Sequence, residues 1–152
     1  MPQMFLNGGG MRGGSLHHLL RGARLIAETS TAPRYRLHSV GDSYPALQPV
    51  AAGGRAIAGE VYDLPLDVLR DSLLPAEPPE LELGVIELAD ASASLGMVLR
   101  GGVLGRTEPP RLTDITEYGG WRAYLARLAS TAWHVEQVLR LQADTPEPVG
   151  RQ

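Results

Sequence analysis

A short apolar run, Met4-Phe5-Leu6, ends at Asn7 and meets five glycines in seven residues, Gly8-Gly9-Gly10-Met11-Arg12-Gly13-Gly14. No other stretch constrains the fold as strongly. The apolar run reads as a buried strand. Ser15 reads as a helix N-cap, with Leu16, Leu19, Leu20 and Ala23 on one side of the helix and Gly22 weakening or ending it. Strand, glycine loop and helix in this order admit three readings. Gly8, Gly10 and Gly13 satisfy G-x-G-x-x-G, and Asp42 lies near the end of the next strand, as a dinucleotide site requires. Against this, the helix has only about two turns, and no second parallel βαβ half follows. A flexible turn is the plain alternative. In the third reading, successive glycines expose backbone N–H groups and the helix N-terminus adds positive potential. Such a loop holds a small carboxylate or an oxyanion, and Arg12 could reinforce it.

Further on, Arg34 to Val40 alternates as a strand, and Gly41-Asp42-Ser43-Tyr44-Pro45 is turn chemistry. Ala56 to Leu64 is a second strand containing Gly59-Glu60-Val61-Tyr62. Pro65, then Leu66, Val68, Leu69, Leu73 and Leu74, predict a short helix stopped by Pro75, Pro78 and Pro79. Leu81 to Leu88 and Ser94 to Leu99 form a hairpin, and Gly101 to Arg111 is a loop. Thr113 to Glu117 is a candidate helix start that Gly119-Gly120 would break. Trp121, Tyr124, Leu125, Leu128, Ala132, Val135 and Leu139 recur at spacings of three and four, which predicts a helix from about 121 to 141. The ordinary role of such a stripe is to cover a sheet. Trp133 lies off its centre, and its exposure would mark a homodimer interface. Residues 1–143 thus read as one domain and 144–152 as a flexible tail. The class is α+β, with a mixed sheet or small barrel, flanking helices and a long C-terminal helix.

Composition limits the chemistry. The chain has 152 residues, no cysteine, and only arginine among its 14 basic residues. Thiolate metal sites, a cysteine nucleophile, a Schiff-base lysine and a Walker lysine are excluded. Net charge is −3, so nothing points to nucleic acid or an anionic membrane as partner. There is no signal-peptide pattern and no apolar run of the roughly 20 residues a membrane helix needs, so the expectation is a cytoplasmic protein. His17, His18, His38 and His134 show no metal-ligand spacing, and adjacent helical positions lie about 100° apart. No metal and no cofactor is expected. Glu60 is expected to face inward in an ion pair with Arg34 or Arg36.

Several runs carry a resemblance. Asn7 to Leu16, Gly22-Ala23, Thr31-Ala32-Pro33-Arg34-Tyr35-Arg36-Leu37 and Leu83 to Leu88 together resemble the C-terminal domain of allophanate hydrolases. That domain is related to the γ-glutamylcyclotransferase-like fold, so the resemblance implies a stand-alone relative built as a small mixed β-barrel or sheet. A second alignment comes from the cyclotransferases. Their opening Tyr-Gly-Ser/Thr-Leu substrate loop falls on Asn7-Gly8-Gly9-Gly10-Met11, without the tyrosine. Their Gly-Glu-Val-Tyr strand falls on Gly59-Glu60-Val61-Tyr62. Their catalytic glutamate falls on Glu77, within Leu73-Leu74-Pro75-Ala76-Glu77, or on Glu80. The His-Leu pair of allophanate hydrolase domains is replaced here by Gly10-Met11.

The resemblance therefore implies a small-molecule enzyme acting on an amide or carbamoyl nitrogen compound. Glu77 or Glu80 would be the acid/base, and Asn7, Gly8, Gly9, Gly10, Met11, Arg12 and Ser15 would hold the carboxylate or amide group of the substrate or its oxyanion. The alternative is a non-catalytic small-anion-binding or accessory subunit.

Overall fold

The computed structural model describes residues 1–143. The chain divides into two compact units, Met1–Trp121 and the part from Arg122 onward. The first unit is α+β. Its strands are β1 (Gln3–Leu6), β2 (Arg24–Ser30), β3 (Tyr35–Val40), β4 (Tyr44–Pro49), β5 (Ala58–Asp63), β6 (Leu81–Glu87), β7 (Ala93–Leu99) and β8 (Leu112–Asp114). They form one mixed sheet in the order β2-β5-β1-β7-β4-β3-β8, with β6 branching from β7.

The branch lets the sheet curl. The β6–β7 hairpin pairs from Leu81↔Leu99 to Glu87↔Ala93. Beyond its end, Ala32 N donates to Glu87 O at 2.9 Å and Ala89 N donates to Ser30 O at 3.0 Å. The continuation of β2 thus meets the end of β6, and strands β2, β5, β1, β7 and β6 close on themselves. Met4, Phe5, Leu37, Leu47, Ile57, Tyr62 and Leu64 are fully buried. Each contributes about 1.5–3 kcal/mol by leaving water.

The expected strands over 34–40, 56–64, 81–88 and 94–99 are present within a residue or two at their ends. Four expectations need correction. The helix expected from Ser15 is one 3-10 turn, His17–Leu20, preceded by Leu16, and no side chain caps it. Arg21 (φ 50°) and Gly22 (φ 75°) turn the chain back before a second turn forms. The residues around Tyr44 and Pro45 belong to β4, which pairs with β3 from Tyr35↔Pro49 to Val40↔Tyr44. Residues 112–114 are a strand on the far edge of β3, held there by Arg36, whose Nη2 lies 2.7 Å from Asp114 Oδ2. Glu60 pairs with Arg12, because Arg34 and Arg36 are taken by Glu87 and Asp114.

The segment after Pro65 is helical in three registers. Helix α1 (Leu66–Val68) widens into a π turn over Leu69–Leu73 and tightens into a 3-10 turn over Leu74–Ala76. Pro75 sits in the last turn, and at Glu77 the backbone becomes extended. Helix α2 runs Trp121–Ala143, from the last residue of the first unit through the described part of the second, matching the expected helix. Leu125, Trp133, Val135, Val138, Leu139 and Leu141 are exposed along it. The expected tail, 144–152, lies outside the described residues.

Candidate functional site

The site lies at a fork in the sheet. One edge of β7 is taken by β6. The other is shared, with β1 paired in parallel at Leu95 and Gly96 and β4 in parallel at Val98. Two strands cannot occupy one edge together, so β1 must leave where β4 arrives. The end of β1 and the start of β4 splay off β7 beside Met97, and a cavity of about 40 Å³ opens between them. Leu6, Asn7, Gly8 and Gly10 line it from one side, and Tyr44 and Pro45 from the other. Glu77 closes it from the end of the segment after Pro65.

The glycines allow this close approach. A Cβ at Gly8 would stand 2.8 Å from Pro45 Cδ, and one at Gly14 would stand 2.1 Å from the Gly9 carbonyl oxygen. The loop is also ordered rather than slack. Met11 N donates to Gly8 O at 3.1 Å, Gly14 N to Met11 O at 2.9 Å and Leu16 N to Gly9 O at 3.0 Å.

A buried carboxylate anchors the loop from below. Glu60 has no exposed surface. Its Oε1 accepts from Arg12 N at 2.8 Å and from Tyr62 Oη at 2.9 Å, and its Oε2 accepts from Arg12 Nε at 3.0 Å. Arg12 Nη2 also pairs with Glu28. His17 donates its Nδ1–H to Gly10 O at 2.9 Å, which fixes the tautomer, since a carbonyl only accepts. The arginine expected to reinforce an anion site therefore holds the loop in shape.

The two candidate glutamates have opposite environments. Glu77 is half-buried, and burial pushes its carboxyl from the ordinary 4.5 up to about 7. Glu80 is buried and accepts from Tyr44 Oη at 2.5 Å. That hydrogen bond holds its carboxyl below the usual range. The Tyr44 hydroxyl is pushed up, first by burial, then by its bond to Glu80 and by the charges of Glu80 and Glu77. Asn7 is 8% exposed, and among the described residues its Nδ2 has no hydrogen-bond partner.

Of the residues expected at the site, Asn7, Gly8, Gly10 and Glu77 come together in the cavity lining, and Glu80 stands behind it through Tyr44. Gly9, Met11, Arg12 and Ser15 are outside the lining. Tyr44, Pro45 and Met97 are site residues that sequence reasoning did not single out. The described residues contain no group of three or more His, Cys, Asp or Glu arranged to hold a metal. They also contain no helix long and apolar enough to cross a membrane.

Residues 2–126 match the sequence pattern of the family described as Allophanate hydrolase C-terminal domain. The chain belongs to this family. No curated protein matches it. Among solved structures, the chain is similar to c4763, a uropathogenic E. coli-specific protein, at 34% identity and TM-score 0.73 over 82% of this chain and 95% of that one. It is also similar to Kluyveromyces lactis allophanate hydrolase, at 26% identity and TM-score 0.74 over 84% of this chain and 21% of that one. An uncharacterised protein of Pyrococcus horikoshii shares the fold at 18% identity and TM-score 0.64, over 88% of this chain and 99% of that one. An AIG2-like protein of Mus musculus also shares the fold, at 20% identity and TM-score 0.51 over 72% of this chain and 80% of that one, and the fold is the α+β, γ-glutamylcyclotransferase-like one that the resemblance implies.

Proposed function

We propose that this chain is a small-molecule enzyme acting on an amide or carbamoyl nitrogen compound, with Glu77 as its acid/base. The observation that carries this reading is a half-buried carboxyl, raised to about 7, that lines one cavity with Asn7, Gly8 and Gly10. A group with its midpoint near the operating pH can both take and return a proton. With a γ-glutamyl amine, Glu77 would take a proton from the α-amine, and that nitrogen would attack the γ-carbonyl. Asn7 and the glycine-loop amides would meet the oxyanion that develops. Glu77 then returns that proton to the departing amine nitrogen as its bond to the γ-carbon breaks and 5-oxoproline forms. Gly9, Met11, Arg12 and Ser15 enter the proposal as the frame of this loop. Glu80 enters as the partner that holds Tyr44.

A second reading rests on the comparison with K. lactis allophanate hydrolase, of which this chain covers 21%. There the domain is one part of a longer chain, which favours an accessory subunit that binds a small anion and supports a separate enzyme. The spacing Leu125, Leu128, Ala132, Val135, Leu139 and the 60% exposure of Trp133 support pairing of two copies through α2. Sedimentation of the intact chain tests this, and a monomer at all concentrations overturns it. The proposed setting is the cytoplasm, and a net charge of −3 favours a small molecule over nucleic acid as partner.

The functional test incubates purified protein with γ-glutamyl amines and dipeptides, allophanate and related carbamoyl compounds, followed by mass spectrometry. Release of 5-oxoproline, or loss of one carbamoyl compound, is the expected result. No turnover of any member would favour the accessory reading.

A further inference from the structure

We propose that Ser72 is a positioning residue for this site: its hydroxyl ties the segment that carries Glu77 to the turn behind the glycine loop, and so sets where Glu77 stands against Gly8 and Gly10 in the cavity wall. This deepens the enzyme reading above and rests on Glu77 being its acid/base.

Glu77 and the glycine loop are far apart in sequence and share one cavity lining. Apolar packing holds their segments in part. Val68, Leu69 and Leu73 are buried in the segment after Pro65, and Leu20 is buried in the 3-10 turn after the loop. Such packing is non-directional and does not fix how a helix is rotated about its axis. The segment's own backbone fixes it poorly as well, because its hydrogen bonds pass from α to π to 3-10 register between Leu66 and Ala76. Ser72 is the one polar residue between Leu66 and Leu73 that is not exposed. Its Oγ–H donates to Leu19 O at 2.7 Å.

The acceptor is open for a local reason. Arg21 N donates to His18 O and Ala23 N to Leu20 O, and the left-handed Arg21 and Gly22 turn the chain away before a backbone N–H meets Leu19 O. The Ser72 hydroxyl fills that place. In the same 3-10 turn, His17 donates its Nδ1–H to Gly10 O at 2.9 Å. A path therefore runs from Gly10 through His17 and Leu19 to Ser72, and along the chain to Glu77, and both its ends line the cavity. Burial alone acts on the Glu77 carboxyl, with no hydrogen bond or charge to hold it, so its place is set by the backbone behind it. Without the Ser72 hydroxyl, the segment loses its one directional anchor to the turn, and Glu77 gains water.

The test follows the Glu77 side-chain carboxyl carbon by ¹³C NMR from acid to alkaline pH in the intact chain. Wild type is compared with Ser72→Ala, Ser72→Thr and Ser72→Cys. The other titratable groups at the cavity are Tyr44 on β4, whose hydroxyl is pushed up, and Glu80 behind it, which is held down, so neither titrates together with Glu77. The wild-type midpoint is expected at about 7. Ser72→Ala should lower it by at least about half a unit, because a carboxyl that gains water returns toward its ordinary value. It should also shift the Gly10 amide signal. Ser72→Thr keeps the hydroxyl and should restore the wild-type midpoint. Ser72→Cys, a weak donor, should fall between. Ile115→Val trims the core beside β3 and should lower stability without moving the midpoint. A midpoint unmoved in folded Ser72→Ala, or in Ser72→Cys should the alanine variant not fold, would overturn the proposal. So would an equal shift in Ile115→Val, or a Ser72→Thr midpoint displaced as far as that of Ser72→Ala.

These outcomes separate from the enzyme reading. In turnover assays Ser72→Ala should lower kcat, with the acid limb of its pH profile moved to lower pH by as much as the midpoint. A displaced midpoint with no turnover of any compound by wild type would leave the tie standing without the catalysis. Turnover with a midpoint unmoved by Ser72→Ala would do the reverse.

Discussion

Replacing Glu77 by Gln should make the protein more stable above neutral pH, and the gain should depend on pH in a defined way. The carboxyl is raised from 4.5 to about 7 by burial. At 1.36 kcal/mol for each pH unit between the two values, that is about 3 kcal/mol. Below about pH 4.5 the group is protonated in both the folded and unfolded chains, and wild type and Glu77→Gln should have similar stability. Between 4.5 and about 7 the unfolded chain releases the proton while the folded one keeps it, so wild type loses stability as pH rises. Above about 7 the difference is complete and flat. For a chain of this size, about 3 kcal/mol corresponds to roughly 6–12 °C in melting temperature. Thermal or urea melts of both proteins from acid to alkaline pH read the difference directly, and other titrating groups cancel between them. A wild-type and variant difference that does not vary with pH, or a variant less stable above neutral, would refute the buried-carboxyl reasoning.

Other variants probe the frame. Glu60→Ala leaves the Arg12 amide and Tyr62 hydroxyl without their buried acceptor, so it should cost about 3–5 kcal/mol and strip hydrogen-exchange protection from the Arg12 amide. Gly8→Ala sets a Cβ 2.8 Å from Pro45 Cδ, and overpacking of this kind should cost about 1–3 kcal/mol in urea melts. Asp114 is held near 2 against its burial by hydrogen bonds from Thr116 and Arg36. Its contribution should be present above about pH 4 and fade as pH falls through about 2. Asp114→Asn should therefore flatten that part of the acid unfolding curve, by only about 1 kcal/mol because the side chain is 41% exposed.

The sequence made much of this fold legible, because local chemistry decides it. Met4-Phe5-Leu6, an apolar run bounded by Asn7 and the glycines, reads as the buried strand it forms, and five glycines in seven residues mark Gly8 to Gly14 as a loop. The short segment after Pro65 and the helix from Trp121 follow from proline and from spacings of three and four. Tyr44 and Pro45 look like a turn because Gly41 and Asp42 dominate their neighbourhood. Their place in β4 is set by pairing with β3 and with Val98, which no local pattern shows. The cavity was illegible for the same reason, since it exists only where β1 and β4 compete for one edge of β7. An arginine in a glycine loop reads as an anion ligand, and the pairing of Arg12 with a buried carboxylate has no local signal. Glu60 lies forty-eight residues away, and only the fold brings the two together. The contrast between Glu77 and Glu80 likewise turns on Tyr44. The tyrosine's hydrogen bond keeps Glu80 ionised, and burial alone acts on Glu77.

The most direct measurement is turnover of the γ-glutamyl and carbamoyl pool by wild type, Glu77→Gln and Glu80→Gln side by side, with each variant's fold checked by circular dichroism. Turnover by wild type that is lost in folded Glu77→Gln and retained in Glu80→Gln is the predicted result. Undiminished turnover in Glu77→Gln would contradict a catalytic role for that carboxyl.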